Sequence, residues 1–135
     1  MSTLTLLEAA QQALALFQQG ELVEADRLGR LILGAQPDNF DALHLLGVIA
    51  VKSGKPQEGV DLLSRALVIR PDQAQGHNNL GAALADMKQY DAALASYDRA
   101  LAIDPRYPDA HRNRGVALRD LRQYEAAVDC FERAI

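Results

Sequence analysis

The chain has 135 residues, of which 49% are hydrophobic and 24% are charged, and this composition excludes a wholly disordered protein. Its 14 Lys and Arg residues against 18 Asp and Glu residues give a formal net charge of −4. A general nucleic-acid-binding protein needs a basic surface, so this charge argues against one. The single cysteine, Cys130, excludes an internal disulfide and a cysteine-rich zinc site.

The N-terminal residues carry no signal for secretion or membrane insertion. Residues 1–5 contain no Lys or Arg, so the charged region of a signal peptide is missing. No apolar run approaches the roughly 18 residues that a membrane span requires. The sequence therefore predicts a soluble, cytoplasmic protein.

Apolar residues recur at helical spacing along the whole chain. In one segment, Leu43, Leu46, Gly47 and Ala50 follow the i, i+3, i+4, i+7 pattern of one helix face. Proline or a polar turn follows each such segment. In chain order, the predicted helices span residues 6–19, 22–35, 40–53, 57–69, 74–87, 91–103, 108–121 and 125–135.

Three kinds of residue recur with a period of 34. The columns are Pro37, Pro71 and Pro105; Gly47, Gly81 and Gly115; and Ala66, Ala100 and Ala134. A fixed period of this length indicates a repeat architecture. We expect a single domain over residues 1–135 with repeats at about 6–39, 40–73, 74–107 and 108–135, the last truncated.

This pattern resembles the tetratricopeptide repeat family, whose unit is a 34-residue helix–turn–helix. The third repeat matches it best, through Leu80-Gly81, Ala93, Tyr97, Ala100 and Pro105. The resemblance implies an all-α solenoid of four helix–turn–helix repeats that forms a right-handed superhelix. It also implies a protein–protein interaction module, an adaptor or scaffold rather than an enzyme, with no cofactor and no metal site.

In this family the first helices of the pairs line a concave groove that binds a protein or peptide segment. The resemblance makes these residues the candidate groove lining: Phe17, His44, Val48, Val51, Asn78, Asn79, Arg112, Asn113 and Arg119. The lining changes from apolar in the first repeats to polar and then arginine-bearing. Arg112 and Arg119 share one helix face and can hold a ligand carboxylate or phosphate. Alternatively, they belong to a solvated face paired with Asp109, Asp120 or Asp86.

Asn79 and Asn113 occupy one repeat column. They resemble the asparagine ladder in the repeat arm of O-linked N-acetylglucosamine transferases, and Asn78-Asn79-Leu80-Gly81 is similar to bacterial members of that group. An asparagine side chain offers both a donor and an acceptor to a peptide amide. The chain would then be the substrate-recruiting arm of a larger, glycosyltransferase-like enzyme. Alternatively, Asn79 caps a loop or bonds a neighbouring helix.

The last predicted helix is not followed by a polar capping helix, which natural repeat arrays need for solubility. Its residues Val128, Phe131 and Ile135 are expected to form an exposed apolar patch. A second copy can pair there, which would make the protein a self-associating scaffold. His77 and His111 share a repeat column, so helical packing explains them better than a metal site does.

Overall fold

A computed structural model describes residues 5–135, and these residues contain eight α-helices and no strand. Every predicted boundary is confirmed to within one residue, except that the last helix ends at Arg133. The all-α, helical-repeat fold class is confirmed. In chain order the helices are α1 (Leu6–Gln18), α2 (Leu22–Ala35), α3 (Phe40–Lys52), α4 (Pro56–Ile69), α5 (Ala74–Asp86), α6 (Tyr90–Ile103), α7 (Pro108–Asp120) and α8 (Tyr124–Arg133).

Local signals explain where several helices begin. The Thr5 hydroxyl accepts a 3.1 Å hydrogen bond from the Glu8 backbone N–H at the start of α1. The Asn39 Oδ1 accepts one of 2.9 Å from the Ala42 N–H at the start of α3. Pro56 and Pro108 stand in the first turns of α4 and α7, where their missing N–H groups cost nothing.

The turns inside the four helix pairs share one backbone feature. A residue with positive φ stands at the same repeat position in each turn, and these residues are Gly20, Gly54, Lys88 and Arg122. Glycine adopts this left-handed conformation freely, whereas a side chain opposes it. Lys88 and Arg122 therefore adopt, in the third and fourth turns, the same left-handed conformation that glycine adopts in the first two.

The helix pairs form two compact units, and each predicted repeat corresponds to one pair. Unit 1 ends at Arg70 and holds α1 to α4, with α1 packed on α2, α2 on α3 and α3 on α4. Unit 2 begins at Pro71 and holds α5 to α8, packed in the same succession. The single domain over residues 1–135 stays a prediction.

Glycines let the two helices of a pair approach closely. A Cβ added at Gly47 would lie 2.7 Å from Leu63 Cγ, and one at Gly115 would lie 2.7 Å from Phe131 Cε1. At Gly81 the added atom would meet the ring of Tyr97. A large side chain of the second helix therefore fills the space that each glycine leaves in the first.

The cores of the two units are built from different residues. Unit 1 is mainly aliphatic, and its main cluster contains Leu43, Leu46, Ala50, Leu62 and Ala66 together with the aromatic Phe40. Unit 2 relies on alanines around larger anchors, in two clusters that contain Ala93, Tyr97 and Ala117, and Leu118, Ala127 and Cys130. Among the described helices, none is both long and apolar enough to cross a membrane.

Candidate functional site

The face of α1 in unit 1 is apolar and open to solvent. Leu7 is 68% exposed and Leu14 is 50% exposed. Phe17 lies on the same face and is half-buried, and the Lys52 ammonium stands 5.9 Å from its ring centroid. The apolar spacing indicated this stripe, but nothing in the sequence placed the Lys52 ammonium over Phe17.

The candidate residues on α3 are more enclosed. His44 is half-buried and stacks on Phe40, with ring centroids 5.7 Å apart and planes inclined by 9°. Burial lowers the pKa of His44 below its ordinary value, and the nearby Asp41 carboxylate partly opposes this effect. Val48 is also half-buried, so His44 and Val48 present only part of their surface to a ligand.

Val51 lies against the partner helix of its own pair. A Cβ added at Gly59 in α4 would stand 2.5 Å from Val51 Cγ2. The side chain therefore contributes to the packing of α3 on α4. The sequence pattern missed this contact, because the close approach at Gly59 lies outside the glycine column of the first helices.

In unit 2, a hydrogen bond between two asparagine side chains connects α5 and α7. Asn78 is buried, and its Oδ1 accepts a 3.1 Å hydrogen bond from Asn113 Nδ2. Burial is the main cause that raises the pKa of the Tyr107 hydroxyl, and a hydrogen bond from Asn78 acts in the opposite direction. Asn78 thus joins Tyr107 to Asn113, while Asn79 lies half-buried beside it.

Arg112 and Arg119 on α7 are exposed and ion-paired. Arg112 Nη2 lies 2.9 Å from Asp109 Oδ1, and Arg119 Nε lies 3.6 Å from Asp120 Oδ1. Their side chains are 59% and 56% exposed, respectively. The two arginines are therefore ion-paired with Asp109 and Asp120, as the alternative interpretation stated. Exposed ion pairs of this kind are weak, so a ligand carboxylate can replace either aspartate.

His77 and His111 are buried and perform the same structural task one repeat apart. Their Nε2 atoms lie 2.7 Å from the Pro71 carbonyl oxygen and 2.8 Å from the Pro105 carbonyl oxygen. A carbonyl oxygen only accepts, so Nε2 carries the proton in both rings. The packing interpretation is confirmed. Among residues 5–135, no group of three or more His, Cys, Asp or Glu side chains is arranged to hold a metal ion.

The candidate self-association residues at the C-terminal end differ in their exposure to solvent. Val128 is 54% exposed, and Ile135, just beyond α8, is fully exposed. Phe131 is half-buried because its ring packs against Gly115, as Tyr97 packs against Gly81. Tyr124, at the start of α8, is 58% exposed and adds to the apolar surface of this helix.

Another cluster in unit 2 was not foreseen. Arg114 Nε donates to Asp98 Oδ1 at 2.8 Å, and Arg114 Nη1 donates to Cys130 Sγ at 3.0 Å. The guanidinium thereby connects α6, α7 and α8. Cys130 is only 1% exposed, and it packs as a small apolar residue.

Comparison with known protein families agrees with the repeat pattern. A TPR repeat model matches residues 83–121, and two tetratricopeptide repeat models match residues 10–74 and 108–135. The chain belongs to the tetratricopeptide repeat family. Tetratricopeptide repeats are, in general, protein–protein interaction modules.

One curated relative and several solved structures resemble this tetratricopeptide repeat chain. BBSome complex member bbs-4 of Caenorhabditis elegans is 34% identical over 65 residues, which are 48% of this chain and 14% of that protein. The chain thus spans only about a seventh of the length of this relative. A MamA fragment from Desulfovibrio magneticus RS-1 has the same fold, with a TM-score of 0.88 at 19% identity over 96% of this chain and 73% of that one.

The resemblance to a bacterial O-linked N-acetylglucosamine transferase is also confirmed. A mutant of the Thermobaculum terrenum O-GlcNAc transferase superposes with a TM-score of 0.82 at 32% identity. The match covers 87% of this chain and 23% of that enzyme's chain.

Proposed function

We propose that this tetratricopeptide repeat chain binds a peptide segment of a protein partner on the faces of its first helices. The binding faces are the α1–α3 face in unit 1 and the α5–α7 face in unit 2. The chain performs no chemistry of its own in this role. It selects a partner by complementary apolar and polar contacts.

The exposure of Leu7 and Leu14 on one face of α1 is the observation that carries the proposal. Two leucines at 68% and 50% exposure on one helix face form an apolar surface that a partner side chain can remove from water. Phe17 extends the stripe, and Lys52 stands over its ring at 5.9 Å. A partner segment with apolar side chains and an acidic group near Lys52 fits this face.

The polar face of unit 2 suits the backbone of such a segment. The bond from Asn113 to Asn78 fixes the orientation of the Asn113 amide, so little rotamer entropy is lost when it meets a peptide group. Arg112 and Arg119 are exposed, and their paired carboxylates are weak competitors for a ligand carboxylate. Unit 2 is therefore suited to an acidic peptide.

A peptide-display selection on the purified chain tests the apolar face. We expect the selected peptides to lose binding to a variant that combines Leu7→Glu and Leu14→Glu. The introduced carboxylates would then face the apolar side chains of the bound peptide. The matched control combines Val23→Glu and Val68→Glu, because these valines are 81% and 83% exposed on second helices. Peptides that bind the two double variants equally would contradict the proposal for unit 1.

The polar face is tested by salt titration of binding to a labelled acidic peptide from the same selection. Arg112→Ala combined with Arg119→Ala should weaken binding and flatten its dependence on salt concentration. Arg27→Ala combined with Arg133→Ala is the control, since both arginines are exposed and paired within their own helices. An unchanged affinity in the first variant would contradict the role of the two arginines.

The similarity to the Thermobaculum terrenum O-GlcNAc transferase favours a second candidate function, in which the chain recruits a substrate for a larger enzyme. The 32% identity over 87% of this chain supports it. Sequencing the codons that follow Ile135 in the gene tests this candidate. A glycosyltransferase domain there would support recruitment, and a stop codon would contradict it.

A further inference from the structure

In unit 1, an open cavity of about 200 Å³ lies between α2, the C-terminal end of α3 and the start of α4. Its apolar lining includes Leu22 of α2 together with Ile49 and Ala50 of α3. A cavity of roughly 150 Å³ is large enough to hold a benzene ring, so this one has room for an aromatic side chain. None of these residues belongs to the exposed apolar stripe of α1, and the cavity is therefore a separate candidate site.

In unit 2, two side chains of α6 fill the equivalent place. Tyr90 and Leu94 pack against the cluster that contains Ala117, and Leu94 also packs against the cluster that contains Leu118. The Tyr90 ring ends in a hydroxyl that hydrogen-bonds the Asp120 carboxylate. This position of the repeat therefore accommodates a tyrosine ring against the C-terminal half of the next helix.

Smaller or more polar side chains leave this place open in unit 1. Each of them stands two repeats before a larger apolar residue of unit 2, and the pairs are Leu22 and Tyr90, Asp26 and Leu94, Ala50 and Leu118, and Ser53 and Leu121. Ile49, which stands at the position of Ala117, offsets part of the lost volume. The cavity is therefore the space that a tyrosine ring and leucine side chains occupy in unit 2.

The charged residues of the cavity favour a neutral occupant. Asp26 and Glu58 supply two carboxylates, and Arg30 and Lys55 supply two cations. Arg30 donates to both carboxylates, at 2.8 Å to Asp26 Oδ2 and at 2.9 Å to Glu58 Oε1. A charged ligand of either sign would meet a like charge here, whereas a neutral ligand would not. Each carboxylate has lone pairs for a further hydrogen bond, so a hydroxyl group finds an acceptor.

We propose that this cavity binds a tyrosine side chain of a protein partner. The ring packs on Leu22, Ile49 and Ala50, and its hydroxyl donates to the Asp26 carboxylate. The partner thus supplies to unit 1 the kind of side chain that Tyr90 supplies within unit 2. This interaction uses other residues than the peptide binding proposed for the α1–α3 face, so each of the two can fail without the other.

Titration of the ¹⁵N-labelled full chain with p-cresol, which reproduces the tyrosine side chain, tests the cavity. We expect saturable shifts of the Ala50 and Ser53 amide signals and none in α8. Leu22→Tyr copies unit 2 and fills the cavity, so it should weaken p-cresol binding about tenfold or more. Val68→Tyr is the matched control, since Val68 is an 83% exposed residue of α4. No saturable shift in the wild type, or an equal loss in the control, would overturn the proposal.

A second filling variant keeps the test decisive if Leu22→Tyr disturbs the fold. Ser53→Leu changes the exposed residue that follows α3 and copies Leu121, which follows α7. It should weaken p-cresol binding in the same way without lowering the free energy of unfolding. Binding of wild-type strength in a folded Ser53→Leu variant would overturn the assignment of the ring to this cavity.

Blocked tripeptides test whether a protein supplies the ring. Acetyl-Gly-Tyr-Gly-amide should displace p-cresol from the wild-type chain. Acetyl-Gly-Phe-Gly-amide should bind about threefold or more weakly, because it has no hydroxyl to donate to Asp26. If the tyrosine tripeptide did not displace p-cresol, a protein partner would be overturned in favour of a small phenolic ligand. Equal affinities of the two tripeptides would overturn the role of the Asp26 carboxylate.

Discussion

Lys88 stands at the repeat position of Gly54 and has the same left-handed backbone, with φ of 60° against 78°. A side chain costs about 1–2 kcal/mol in this conformation, whereas glycine adopts it freely. We expect Lys88→Gly to raise the free energy of unfolding by about 1 kcal/mol, measured by urea denaturation. Arg122→Gly should act in the same direction, because Arg122 has φ of 64°.

Gly54→Ala is the reciprocal control for this turn. An added Cβ meets nothing within 4 Å at Gly54, so any loss of stability comes from the backbone conformation alone. We expect a decrease of about 1 kcal/mol. If Lys88→Gly lowered the free energy of unfolding, a contact of the Lys88 side chain would have to outweigh the strain of its backbone.

The contact between Gly81 and Tyr97 predicts a second effect on stability. A Cβ at residue 81 would stand 2.6 Å from Tyr97 Cδ1, and Tyr97 is buried. Gly81→Ala should therefore lower the free energy of unfolding by about 1–3 kcal/mol, since the ring or the helix must shift. Gly34→Ala in α2 is the control, because nothing lies within 4 Å of its added Cβ, and it should not destabilise. Equal effects of the two substitutions would contradict close packing at Gly81.

The repeat period explains why the helices were predictable while several side-chain partners were not. Proline and glycine at fixed positions mark the ends and contacts of each pair, so the boundaries follow from the sequence. Residues at helical spacing, in contrast, show which side of the helix a side chain lies on. They do not show how much of that side the neighbouring helix covers. The spacing therefore placed Val51 in the expected groove lining but did not indicate that its side chain also contacts Gly59.

The polar contacts of the site depend on side-chain rotamers that a linear pattern does not contain. Asn79 and Asn113 share a column, yet Asn113 bonds Asn78, which lies one position away from that column. The pairing of Arg112 with Asp109 was among the alternatives, because residues three apart on a helix are neighbours. Phe131 was expected in an exposed apolar patch, whereas the repeat position that it shares with Tyr97 brings its ring against Gly115.

Arg114 stands in a column that holds leucine in the two preceding repeats, and this leads to a third prediction. Leu46 and Leu80 stand at its position in the two preceding repeats, whereas Arg114 bonds Asp98 and Cys130. Replacing a partly buried ion pair by a well-packed apolar residue is often neutral or stabilising. Arg114→Leu should leave the free energy of unfolding unchanged or raise it.

Arg114→Ala is the matched variant, because it removes both the bonds and the packing of the long side chain. We expect it to lower the free energy of unfolding by about 1–3 kcal/mol. Urea denaturation of the two variants separates the contributions. If leucine were as destabilising as alanine, the bonds to Asp98 and Cys130 would matter more than the apolar volume.

His44 predicts a dependence of stability on pH. Burial lowers its pKa in the folded chain, so the unfolded chain binds the proton more tightly than the folded chain does. Stability is therefore highest while His44 is neutral in both states, and it falls as the pH drops below the ordinary value of 6.5 and through the lowered pKa. His44→Gln should reduce this loss between about pH 7.5 and about pH 5.5, measured by urea denaturation at both values. Asp41→Asn should enlarge it, because the Asp41 carboxylate supports the protonated ring. The same loss in wild type and His44→Gln would contradict His44 as its source.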